Sequence, residues 1–179
     1  MHVRTQRLLD ELDTHRAALR AEVDRVPPAL REQRPAPDRW SVAEVLEHLS
    51  MVENRIAGVL EGRIAAARAE GLREETETGP VVPENYVALV RDRSRPRVAS
   101  EASTPRGLDA EGAWAALEQA RGALRRAVLA GDGLALGEVT APHPALGEID
   151  LYQWIAFVGG HEVRHTDQLR EVADALAAR

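Results

Sequence analysis

Between Leu151 and Val172 the chain places Leu151, Trp154, Val158, His161, His165, Gln168 and Val172 at alternating steps of three and four residues. That spacing traces one face of an α-helix, and a repeat averaging 3.5 residues is the seam of a helix packed lengthwise on partners. Three consecutive seam positions, His161, His165 and Gln168, are polar where a bundle ordinarily places leucine or valine. A buried polar group without a partner costs about 1–3 kcal/mol on mutational scales. The segment therefore demands a helical fold that supplies partners to polar groups in its middle.

The rest of the chain obeys the same period. The spacing predicts helices over residues 4–26, 41–69, 109–130 and 150–177. Pro27-Pro28 stops the first, because proline lacks the amide proton and clashes with the preceding turn. Ser41-Val42-Ala43-Glu44 opens the second as a capping box, followed by the stripe Val42, Val45, Leu49, Val52, Ile56 and Val59. Gly71 suits its end. Asp109 caps the third helix and Asp150, with Gln153, the last. Residues 71–108 and 131–149 read as connections, the first long enough to suggest a functional segment. Only 3% of residues are aromatic and no stretch alternates apolar with polar for long, which argues against a β-sandwich. The expected fold is all-α, a four-helix bundle forming one domain over residues 1–179.

Composition narrows the chemistry. The chain has no cysteine, which removes disulfides, thiolate metal sites and a cysteine nucleophile. All 23 basic residues are arginine, so lysine chemistry is absent too. A net charge of −6 argues against nucleic acid as a partner. No window approaches the roughly 18 uncharged apolar residues of a membrane span. The first residues lack the apolar core of a secretory signal, so the expected location is the cytoplasm.

Histidine is then the main source of chemistry. His161 and His165, four residues apart, lie one above the other and suit a single ion. His48 lies at the edge of the second helix's stripe and brings a third imidazole from another helix. Three neutral imidazoles plus a water describe an open divalent metal site. The alternative is three core histidines bonded to carbonyls or carboxylates. His2 and His15 lie away from any motif, and His143, between Pro142 and Pro144, lies in a connection that can approach the bundle end.

His161-Glu162-Val163-Arg164-His165 matches the zinc-protease motif H-E-x-x-H. The longer form would need Gly and His at positions held by Gln168 and Glu171, and no strand is predicted to hold a peptide. A protease is not expected. Glu162 either reaches a metal-bound water as general base or turns outward to Arg125, Arg126 or another surface arginine.

Two motifs together, Trp40-Ser41-Val42-Ala43-Glu44-Val45-Leu46-Glu47-His48-Leu49 and His161 through Leu169, resemble the DinB-like superfamily. The resemblance implies an up-down-down-up four-helix bundle and a divalent metal held by His48, His161 and His165. Arg164 and Gln168 match the family's H-x-x-R-H-x-x-Q pattern. Members include bacillithiol and mycothiol S-transferases. The resemblance thus implies a metal-dependent thiol S-transferase or related hydrolase acting on a small-molecule substrate. Its cofactor would be one divalent ion, zinc or nickel, with a low-molecular-weight thiol as cosubstrate. Imidazole nitrogens alone suit zinc, nickel, iron and copper alike. Arginines of the 91–97 run would bind that thiol's carboxylates, or else lie in a solvated loop. The alternative function is a non-catalytic, metal-stabilised bundle, in a stress response or as a homodimer scaffold. Gln168 and Glu47 or Glu44 are expected to orient the imidazoles. Gly159-Gly160 either lets helices approach or leaves room above the metal.

Overall fold

The structure is a computed structural model describing residues 1–94 and 100–178. Its helices are α1 (Val3–Asp24), α2 (Val42–Ala69), α3 (Tyr86–Arg91), α4 (Ala110–Ala130) and α5 (Leu151–Ala177). Local chemistry sets their ends. Both capping boxes form: Ser41 with Glu44 at α2, and Asp150 with Gln153 at α5. Asp109 Oδ1 accepts the Gly112 amide at 2.7 Å, opening α4. Gly71, at φ +80°, closes α2, with the Leu72 amide donating back to the Ala67 carbonyl at 2.9 Å.

The four long helices bury two apolar clusters. One gathers Leu8 and Leu12 of α1, Ile56 and Leu60 of α2, Leu124 and Val128 of α4, and Leu151 and Ile155 of α5. The other gathers Leu19, Val23, Val45, Leu49, Ala113, Leu117, Leu169 and Val172. From the first cluster to the second, residue numbers rise along α1 and α5 and fall along α2 and α4. The topology is therefore up-down-down-up, with α2 parallel to α4 and α1 parallel to α5. Parallel neighbours cannot be joined by a tight turn, which is why the α2–α4 connection runs through residues 70–109.

Both connections hold more structure than their composition predicts. The first contains α3, which packs on α5 and fastens to it: the Tyr86 hydroxyl donates to the Gln153 carbonyl at 2.9 Å. Arg91 pairs with Asp167 at 2.6 Å and Arg93 with Glu171 at 2.6 Å. These two arginines are tied to α5 by ion pairs at a partly exposed surface. Arg95 and Arg97 lie outside the described residues. The second connection folds into a hairpin, β1 (Thr140–His143) on β2 (Gly147–Asp150), antiparallel with Ala141 opposite Ile149. Pro142 hides it from a strand reading, since proline is tolerated only at a sheet edge. Among the described residues no helix is long and apolar enough to cross a membrane.

Candidate metal centre

α2 and α5 bring the three predicted imidazoles together. One donor nitrogen of each of His48, His161 and His165 lies within 4.8 Å of the other two. Nε2 of His161 stands 3.4 Å from Nε2 of His48 and 3.2 Å from Nε2 of His165. Two nitrogens bound to one tetrahedral ion at about 2.0–2.1 Å are themselves about 3.3 Å apart. His48 and His165 are buried, and His161 keeps part of its surface open.

The far nitrogens decide which way the lone pairs point. His48 Nδ1 lies 2.7 Å from the Ser103 carbonyl oxygen, which can only accept. The proton of the neutral His48 ring is thus on Nδ1, and its Nε2 lone pair faces the other rings. His165 Nδ1 lies 2.8 Å from Gln168 Oε1, with the same consequence. Gln168 takes the orienting role expected of it. Glu47 and Glu44 do not, since their carboxylates are committed elsewhere. Glu47 accepts the amides of Arg106, Gly107 and Leu108 at 2.9, 3.0 and 3.1 Å. Glu44 closes the capping box and binds Arg34. The Ser103 carbonyl, invisible to any residue pattern, serves His48 instead.

Burial keeps all three rings neutral. It lowers His48, and together with neighbouring His165 and His48 holds His161 well below its ordinary value. Burial, aided by His48, pushes His165 down to about 3. Neutral imidazole is the form that ligates a metal.

Aromatic rings flank the cluster. Trp40 packs on His48 with centroids 5.0 Å apart, and Phe157 stacks on His161 at 5.5 Å. His143, buried at the end of β1, packs on Phe157 at 4.3 Å and so lies one ring removed from the imidazoles. His2 caps α1, accepting the Arg4 amide at 3.3 Å. His15 lies against Gly159: a Cβ built there would meet its ring at 2.8 Å, and one built on Gly160 would meet Val90 at 2.8 Å. The two glycines therefore serve close approach of α1 and α3 rather than space above the imidazoles.

Glu162 requires a correction. It neither faces the imidazoles as a general base nor pairs with Arg125 or Arg126 at the surface. Its side chain is 2% exposed, with Oε1 2.5 Å from Arg16 Nε and Oε2 3.0 Å from Arg121 Nη2. Adjacent helical residues point about 100° apart, so Glu162 leaves α5 on a different face from His161. Arg125 pairs instead with Asp13 at 3.0 Å. Around Glu162, burial raises the Glu53 carboxyl above its ordinary value, although Arg121 and Arg16 pull the other way.

Fold and site thus define a four-helix bundle in which two helices converge three imidazoles on one point. The model of the DinB superfamily matches residues 11–169, and the chain belongs to that family. It is similar to the uncharacterized protein YuaE of Bacillus subtilis (strain 168), 27% identical over 146 residues that cover 80% of this chain and 83% of that protein. Among solved structures it is similar to TT2238, a four-helix bundle protein, with a TM-score of 0.56 and 21% identity. The likeness covers 98% of this chain and 99% of that one, and speaks to the fold alone.

Proposed function

We propose that His48, His161 and His165 hold one divalent metal ion, and that the centre serves as a metal-dependent thiol S-transferase or related hydrolase on a small-molecule substrate. The observation carrying this reading is the pair of fixed tautomers. Ser103 and Gln168 turn the Nε2 lone pairs of His48 and His165 toward a third ring nitrogen 3.2–3.4 Å away. Converging lone pairs repel unless a proton or a cation lies between them; a neutral His161 can turn its one proton toward only one of the two rings, and burial works against the second proton that a charged ring would supply. A divalent ion held there supplies a Lewis acid that lowers the pKa of a thiol or water entering its remaining coordination position.

The chain's own part is binding and exclusion. His161, the least buried of the three residues, lies on the side we assign to reactant entry, while Trp40 and Phe157 wall the cluster with apolar surface. The chain has no cysteine, so the sulfur nucleophile of an S-transferase comes with a cosubstrate.

Elemental analysis of the purified protein tests the metal. One equivalent is expected in the wild type and none in His165→Ala with its helical content retained. A full equivalent in the triple alanine variant of His48, His161 and His165 refutes the site. The transferase is tested separately on cobalt-loaded protein. Adding low-molecular-weight thiols should produce a sulfur-to-cobalt charge-transfer band and thiol-dependent consumption of an electrophile. Neither response to any thiol in the panel would leave a metal protein without this activity.

A further inference from the structure

Between the two apolar clusters lies a ring of four charges, one from each long helix, and from its rim Arg16 Nη1 also donates to the half-exposed Glu118 of α4 at 2.7 Å. Arg16 of α1 donates through Nε to Glu162 of α5 at 2.5 Å and through Nη2 to Glu53 of α2 at 2.9 Å. Arg121 of α4 donates through Nε to Glu53 at 2.5 Å and through Nη2 to Glu162 at 3.0 Å. Every carboxylate oxygen is used, the four charges cancel, and each side chain is nine-tenths or more buried. Arg121 Nη1 also donates to the Leu12 carbonyl at 2.9 Å.

We propose that this ring positions the metal ligands by fixing the rotation and register of α2 and α5 against each other. The inference rests on the metal reading given above. Both helices that carry imidazoles also carry a ring carboxylate: Glu53 lies five residues after His48, and Glu162 stands between His161 and His165. Glu53 and Glu162 grip the same two guanidiniums, so neither helix can turn or slide without releasing an oxygen from its donor. The leucine and alanine layers on either side impose no such condition, because apolar cores tolerate repacking at similar volume. The imidazoles do need it, since ligating groups must be held within about 0.5 Å of their working geometry. The ring residues touch no reactant. They are positioning residues.

The test replaces Arg16, Glu53, Arg121 and Glu162 together by methionine, a change that buried ion networks often survive with undiminished stability. Cobalt affinity is measured by chelator competition, the ligand field by visible absorption, and the His48 and His165 tautomers by nitrogen-15 NMR of metal-free protein. The expected result is a folded variant that binds cobalt at least tenfold more weakly, with an altered visible spectrum and mixed tautomers. Glu162→Gln, nearly isosteric, should move the same readouts in the same direction and serves if the fourfold variant does not fold. Leu117→Ala, a cavity in the second apolar cluster, should lose stability yet keep spectrum and tautomers. Wild-type affinity, spectrum and tautomers in the folded ring variants overturn the proposal, as does an equal change in Leu117→Ala. A wild type that binds no cobalt overturns the metal reading instead, and the tautomer measurement still decides whether the ring orders the imidazoles.

Discussion

The Ser103 carbonyl oxygen stands 2.7 Å from Nδ1 of His48, across 55 residues of chain. What holds it there is the residue next to His48. Glu47 grips the amides of Arg106, Gly107 and Leu108, so one turn of α2 both presents the imidazole and anchors the segment that orients it.

Glu47→Gln should therefore act on the centre without touching it. Replacing a carboxylate that accepts three amides by an amide with a single acceptor oxygen is expected to cost about 2 kcal/mol of stability. Freeing the Ser103 carbonyl should weaken metal binding by roughly tenfold, the usual scale for a group that orients a ligand. Chemical unfolding and chelator competition measure the two effects. A variant with lowered stability and unchanged metal affinity would break the link between Glu47 and His48.

Acid should destabilise the metal-free protein well before its carboxylates titrate. His48, His161 and His165 are all lowered by burial, so below the unfolded value of about 6.5 the unfolded chain binds more protons than the native one. Stability contributed by these rings is full above that pH and declines as pH falls toward the folded values. The slope is at most about 1.4 kcal/mol per pH unit for each ring, approached only between its unfolded and folded values. Urea midpoints of metal-free protein between pH 7 and 5 should fall accordingly, and less steeply for His165→Gln. A flat profile over that range would contradict the neutral cluster.

A second acid transition should belong to Glu75. Burial opposes its ionisation, but the Tyr152 hydroxyl, the Glu77 amide and Arg4 outweigh it and hold the carboxyl at about 2. Tyr152 donates at 2.7 Å and Arg4 at 2.8 Å, tying the segment after α2 to α5 and α1. Its stabilisation is present above about pH 4.5 and lost as pH falls toward 2, amounting to no more than about 3 kcal/mol. Glu75→Gln should lower stability at pH 7 and flatten the profile below pH 4.5. Equal acid slopes in variant and wild type would remove Glu75 from this role.

The four long helices and the imidazole cluster were legible because each rests on spacing within a helix or on a motif. Ser41, Asp109 and Asp150 cap where their residue types say they should. The Ser103 contact and α3 were not legible, because a backbone carbonyl leaves no trace in composition and α3 is held by contacts with α5. The charged ring did leave a trace. Arg16 lies between Leu12 and Leu19, Glu53 between Leu49 and Ile56, and Arg121 between Leu117 and Leu124, each four residues after one apolar seam position and three before the next. A charge in that place must be paired, since removing one partner of a buried pair costs about 3–5 kcal/mol. Glu162 falls within an H-E-x-x-H match that would place it by a metal, whereas the arginines at matching seam positions on the other helices are its actual partners.

Gly159 and Gly160 give a pair of substitutions with opposite expected signs. Alanine in a helix interior is favoured over glycine by about 1 kcal/mol, so either change gains that much if the new methyl fits. At Gly159 the nearest atom is Cδ2 of His15, the end of a half-buried side chain that can rotate away. Gly159→Ala should thus be neutral or stabilising by up to about 1 kcal/mol. At Gly160 the methyl would meet Val90 Cβ at 2.8 Å and Cγ1 at 3.0 Å. A Cβ moves only with its backbone, and Val90 is buried on α3, so relief requires shifting α3 off α5. That shift would strain the Tyr86 hydrogen bond to Gln153 and the Arg91 pair with Asp167. Gly160→Ala should destabilise by about 1–3 kcal/mol, the range for overpacking a core. Thermal unfolding of the two variants side by side reads the difference, and hydrogen exchange at Tyr86–Arg91 should rise in Gly160→Ala alone. Equal stability in the two variants would mean that α3 does not pack on α5 through this glycine.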